Sequence, residues 1–154
     1  MPTETAAEQV CLRLLARREH SRGELRRKLL LRGYPEPAIV EALDILAAAE
    51  WQDDARFLDS FLRQRLEKGY GPLRLRQELR ERGVRASDAD IAEFAAREFG
   101  GWAEALRLVY ARKYDAETRL PRAEWARRCR YLQQRGFLSS QINGLRAELG
   151  IVPL

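Results

Sequence analysis

Few side chains in this sequence suit covalent or acid–base chemistry. Its one histidine is His20, and its two cysteines, Cys11 and Cys129, lie far apart. A nucleophilic pair would need a thiolate beside His20 and a third group to orient the imidazole. Cys11 instead sits among Val10, Leu14 and Leu15 at helical spacing, the setting of a small core residue. One histidine and two isolated cysteines cannot assemble a zinc site. Neither G-x-x-x-x-G-K-[ST] nor G-x-G-x-x-G occurs, and no pair of carboxylates stands out from the charged helical background. The expectation is a protein without catalytic residues, cofactor or metal. His20 itself is expected in a loop.

What remains is the chemistry of arginine. Of the 28 basic residues only Lys28, Lys68 and Lys113 are lysines, which leaves 25 planar, bidentate donors suited to carboxylate and phosphate. Their distribution is uneven. Residues 1–51 hold eight basic and eight acidic side chains and residues 52–100 hold ten of each, so the net +5 belongs to residues 101–154, with ten and five. On a helix over 121–136, Trp125, Ala126, Cys129 and Leu132 form the expected core side. Arg127, Arg128, Arg130 and Arg135, with Tyr131 among them, are expected on the opposite side. That face reads either as solvated arginines or as a basic, aromatic surface for phosphates or an acidic protein. Arg74 and Arg80 mark a second basic stretch.

The elements that position these residues come from a repeat. Leu29–Tyr34, Leu79–Val84 and Leu132–Phe137 share Leu-x-x-Arg-Gly followed by an apolar residue, at offsets of 50 and 53. Each copy is first a helix C-cap, in which glycine takes the left-handed conformation and the next residue folds back on the last turn. Ser21-Arg22-Gly23-Glu24 reads as a capping box. Ser87 and Ser139 are expected N-caps, and Pro37, Pro72 and Pro121 fall where helices open. Nine helices are predicted, over 5–18, 22–33, 37–48, 53–67, 72–83, 88–98, 101–114, 121–136 and 139–149, with no sheet. They group as three-helix repeats over 1–51, 52–100 and 101–154. The expected fold is all-α, three tandem repeats in an elongated, curved array. No apolar run approaches a membrane span, the N-terminus lacks a signal-peptide pattern, and cysteine usage suits a reducing compartment, so a cytoplasmic protein is expected.

The motifs then resemble a known family. Asp53-Asp54-Ala55-Arg56-Phe57, with Phe61, Arg63, Gly69-Tyr70-Gly71-Pro72 and Glu78-Leu79, resembles the central repeat of the RecX regulators. Residues 13–34 resemble its first repeat, through Leu15-Ala16-Arg17-Arg18-Glu19-His20-Ser21 and then Arg32-Gly33-Tyr34. The third repeat matches more loosely, through Arg135-Gly136-Phe137 and Ile142. Leu58 and Leu75 depart from the usual alanine and isoleucine, both conservatively. The resemblance implies a monomeric, non-enzymatic protein that binds RecA filaments on single-stranded DNA. It would thereby inhibit recombinase, ATPase and coprotease activities, modulating DNA repair and the SOS response. The alternative is a basic helical DNA-binding protein that touches single-stranded DNA and affects RecA only indirectly. Under either reading Arg127, Arg128, Arg130, Tyr131, Arg135, Arg74 and Arg80 are the candidate contact residues.

Overall fold

A computed structural model describes residues 5–154. Among them lie α1 (Ala6–Leu15), α2 (Arg22–Leu31), α3 (Glu36–Ala48), α4 (Asp54–Glu67), α5 (Pro72–Glu81), α6 (Asp88–Phe99), α7 (Trp102–Lys113), α8 (Arg122–Gln134) and α9 (Ser139–Leu149). Every predicted helix is present. None of the described helices is long and apolar enough to cross a membrane. The expectation of no strand is corrected by one short parallel pair. β1 (Arg119–Leu120) sets Arg119 opposite Val152 of β2 (Val152–Pro153), and the N–H groups of Val152 and Leu154 donate to the Thr118 and Leu120 carbonyls at 2.7 Å. Two residues per strand are too few to show an alternating pattern, so this pair left no trace in the sequence.

The helix ends follow local chemistry. Ser21 accepts the Glu24 N–H and Glu24 reaches back to the Ser21 N–H, a complete capping box, and Ser87 and Asp90 do the same for α6. Ser139 is not the cap of α9. Leu138 holds that position, and the Gln141 side chain accepts its N–H at 2.9 Å. Asp53 accepts the N–H groups of Ala55 and Arg56 at the start of α4. Gly33, Gly83 and Gly136 have φ of +86°, +69° and +100°, and the residue after each donates its N–H to the carbonyl of Leu29, Leu79 and Leu132. The repeated motif is therefore the same C-cap three times.

The chain divides into two compact units, one running to Phe61 and taking in Leu79–Arg85, the other made of Leu62–Glu78 and Ala86–Leu154. In the first, Cys11, Leu25, Leu29, Ile39 and Leu43 are fully buried between α1, α2 and α3. Burial lifts the Cys11 thiol to about 11, the reverse of what a thiolate nucleophile needs. Arg18–Glu24, Arg22–Asp44 and Arg26–Glu36 pair at 2.7–2.8 Å, a mixed ion network over this unit. Arg56 crosses to Glu19 at 3.2 Å and also donates to the Glu50 and Trp51 carbonyls. In the second unit, Leu106, Leu132, Phe137, Ile142 and Leu145 form the core.

His20 lies in the expected loop, between α1 and α2, but it is buried there. It is 2% exposed, with Nδ1 3.1 Å from the Arg18 carbonyl and Nε2 3.0 Å from Lys28 Nζ. The carbonyl can only accept and the ammonium can only donate, so the ring is neutral, protonated on Nδ1. Burial and the charges of Arg18 and Lys28 push its pKa below the ordinary 6.5, against the opposing carbonyl bond. A histidine depressed in the fold contributes stability that is complete above its ordinary value and lost as pH falls through the folded value. The urea midpoint is therefore expected to fall as pH drops just below 6.5, and His20→Ala should flatten that slope. An equal slope in both proteins would refute this assignment.

Candidate functional site

The candidate residues are positioned mainly by α8, and the structure divides them. Arg127 and Arg130 are exposed, and Arg127 pairs with Glu124. Arg128 is corrected: it is 6% exposed. Its guanidinium donates to Tyr110 Oη at 2.7 Å and to Glu124 Oε1 at 3.0 Å, and it lies 4.5 Å from the Tyr114 ring centroid. Burial opposes its charge, but the hydrogen bonds to Glu124 and Tyr110 outweigh burial and raise its pKa further. The reason is angular. At about 100° per residue, Arg128 lies only about 40° around the helix from Leu132, so it borders the core stripe instead of opposing it. A long side chain at that border can bury its stem and still reach polar partners.

Arg135 lies on the same flank and is half-buried. Its Nε donates to the Gly69 carbonyl at 3.2 Å and its Nη2 to the Lys68 carbonyl, so it caps the C-terminal end of α4. It also stands 4.2 Å from the Tyr70 ring centroid, where Arg74 stands at 3.9 Å and Arg65 at 5.3 Å. Glu78 pairs with Arg65 at 3.0 Å and with Arg74 at 3.6 Å. The Gly69-Tyr70-Gly71-Pro72 segment is thus the turn between α4 and α5, and Tyr70 is the hub on which three guanidinium groups are held. Sequence reasoning passed over Tyr70 as a contact centre. The available signal was an aromatic between two glycines, with arginines on both neighbouring helices.

Tyr131, also half-buried, has Lys113 Nζ 4.1 Å from its ring centroid and packs edge-on against Tyr114 at 6.0 Å. Arg112 donates to the Glu67 carbonyl at 3.2 Å. Arg74, Tyr131 and Arg135 therefore come together with Tyr70, Arg65, Arg112 and Lys113 in one basic, aromatic surface of the second unit. Arg80, exposed on the last turn of α5, belongs to the first unit and is not part of it. Most of these cations already serve an internal partner, so the exposed Arg130, and Arg127 with 62% of its side chain exposed beside Glu124, are the more available for an outside one. Among the described residues no group of three His, Cys, Asp or Glu could hold a metal ion.

Comparison with known proteins places this arrangement. Models of the first, second and third three-helix domains of RecX match residues 7–46, 53–92 and 103–144 in that order. The chain is 40% identical to the regulatory protein RecX of Pseudomonas fluorescens over 98% of its own length and 96% of that protein's. It is 39% identical to RecX of Halorhodospira halophila over 92% and 87% of the two lengths. The crystal structure of RecX from Lactobacillus salivarius superposes with a TM-score of 0.71 at 22% identity, covering 95% of this chain and 96% of that one, a likeness of fold. Three successive domain matches and full-length identity to named relatives lead to one conclusion: this chain belongs to the RecX family of regulatory proteins.

Proposed function

We propose that this protein binds RecA filaments on single-stranded DNA and inhibits the recombinase, ATPase and coprotease activities of RecA, so modulating DNA repair and the SOS response. The observation that carries the reading is full-length identity to regulatory proteins named RecX. The basic, aromatic surface built on Tyr70, Tyr131 and α8 supports it, since such a surface suits an acidic protein or phosphates. In this reading the protein acts stoichiometrically, not as an enzyme, and works as a cytoplasmic monomer whose repeats divide near residues 51 and 100. The test is co-sedimentation with RecA filaments assembled on single-stranded DNA. The expected result is saturable pelleting, with ATPase inhibition that follows the ratio of protein to filament. Absence of pelleting at inhibitory ratios would overturn the reading.

A second reading, direct DNA binding with only an indirect effect on RecA, is favoured by the location of the whole net +5 in residues 101–154. Binding to bare single-stranded DNA should then equal binding to filaments and collapse as salt rises, because counterions are released. Reversing Arg127 and Arg130 to Glu separates the two. Both are exposed, so helicity should be retained. Each lost contact should weaken filament binding by about 1–2 kcal/mol. If bare-DNA and filament binding fall together, the second reading holds; if only filament binding falls, the first does. A folded double variant that inhibits RecA at the unmodified ratio removes this face from the mechanism.

A further inference from the structure

Two of the three glycine caps are docking platforms. In the first unit, Ser21 at the start of α2 donates its hydroxyl to the Arg82 carbonyl at 2.8 Å. Gly23 in the same turn approaches so closely that a Cβ would stand 2.8 Å from that oxygen and 3.3 Å from Gly83 Cα. In the second unit, the start of α5 lies on the cap of α8. Gly71 donates its N–H to the Arg135 carbonyl at 2.7 Å and Leu73 to the Gly136 carbonyl at 2.9 Å, and a Cβ on Gly71 would meet the Gly136 carbonyl carbon at 2.6 Å. Both contacts have the same parts: the carbonyls after Leu-x-x, the cap glycine, and a helix N-terminus made thin by glycine. Cap carbonyls carry the negative end of a helix dipole and the incoming first turn the positive end, so the two ends attract.

The third copy of the cap, at the end of α2, has no such occupant. A Cβ on Gly33 would meet nothing within 4 Å, and among the described residues no backbone N–H donates to the Arg32 or Gly33 carbonyl. Beside it Leu31 is 82% exposed and Leu30 41%. Leucines at exposed helical positions, next to an open cap whose two sister copies are both covered, mark a contact surface. We infer that the α2 cap, Leu30 to Gly33, docks the N-terminus of a helix from a protein partner, one whose N-cap is small and whose first turn carries glycine. In a second copy of this chain the two helix starts of that kind, Ser21-Arg22-Gly23 of α2 and Gly71 before α5, are already seated on the caps at Gly83 and Gly136. The start of α8 has Pro121 and Ala123, and its Arg122 N–H is already donated to the Leu154 carbonyl. The inference rests on the proposed function only in taking that partner to be a RecA protomer.

Leu31→Arg tests it, because a side chain so exposed can change without disturbing the core. With folding checked by circular dichroism, binding to RecA filaments on single-stranded DNA should weaken about tenfold or more, while binding to bare DNA should not fall. A folded variant that binds filaments like the unmodified protein overturns the inference. A second arm does not depend on RecA: a synthetic peptide of residues 68–82, which begins a helix at Gly71-Pro72, is titrated into the isotopically labelled full chain. Amide shifts centred on Leu30 to Tyr34, lost with a Gly71→Val peptide, support the inference. Their absence at millimolar peptide overturns it, whereas failure of the unmodified protein to bind filaments would overturn the proposed function instead. Dimer formation abolished by Leu31→Arg would replace the partner with a second copy and refute this choice of occupant.

Discussion

Gly136→Ala is expected to lower the stability of the second unit by about 3 kcal/mol or more, measured by urea unfolding. Two costs coincide at this position. Its φ of +100° strains any residue with a Cβ, and that Cβ would stand 2.6 Å from Arg74 Cβ and 2.7 Å from the Arg74 nitrogen. Neither neighbour is the movable tip of a side chain, so relief requires α5 to shift. Such a shift stretches the bonds from Gly71 and Leu73 to the cap of α8 and displaces Arg74 from Tyr70. Gly33→Ala is the control. It meets the same left-handed conformation at +86° with nothing within 4 Å, so it should cost only about 1–2 kcal/mol. Equal effects at the two positions would show that the close approach carries no energy.

Arg128→Ala is expected to cost about 3 kcal/mol, against about 0.5 kcal/mol or less for Arg127→Ala one residue earlier. The side chain of Arg128 is 7% exposed and that of Arg127 62%, although both bind Glu124. Removing Arg128 leaves Tyr110 Oη buried without its 2.7 Å partner and opens a void beside the packed Tyr110 and Tyr114 rings. Removing Arg127 gives Glu124 back to water. Similar losses in the two variants, by thermal or urea unfolding, would refute the distinction. The same reasoning applies to Arg135: a variant there should be read first for stability, because it caps α4 and holds Tyr70, and only then for binding.

The helices and caps were readable in the sequence because their causes are local. Ser21 and Glu24 close a capping box within four residues, and Leu79-x-x-Arg-Gly83-Val84 closes its own cap within six. Cys11 was assignable to the core from Val10, Leu14 and Leu15 alone, since helical periodicity defines which face is buried. The recurrence of the cap, with the motifs around Asp53 and Gly69, also pointed to the family that the full-length comparisons support.

The arginines were not readable in that way. A helical wheel sets Arg130 about 160° from Leu132 and Arg128 and Arg135 about 40° and 60° from it, but it shows all three only as cations and not what each of them meets. Their separation into a buried donor, an exposed charge and a helix cap depends on Tyr110, Glu124, Lys68 and Gly69, which reach α8 from elsewhere in the chain. Likewise nothing near His20 in sequence announces that an ammonium eight residues on will occupy Nε2. Periodicity reports which side of a helix avoids water, because burial of apolar area scales with the face presented. A polar side chain is placed by the particular donor or acceptor it meets, and those partners exist only once distant segments have packed.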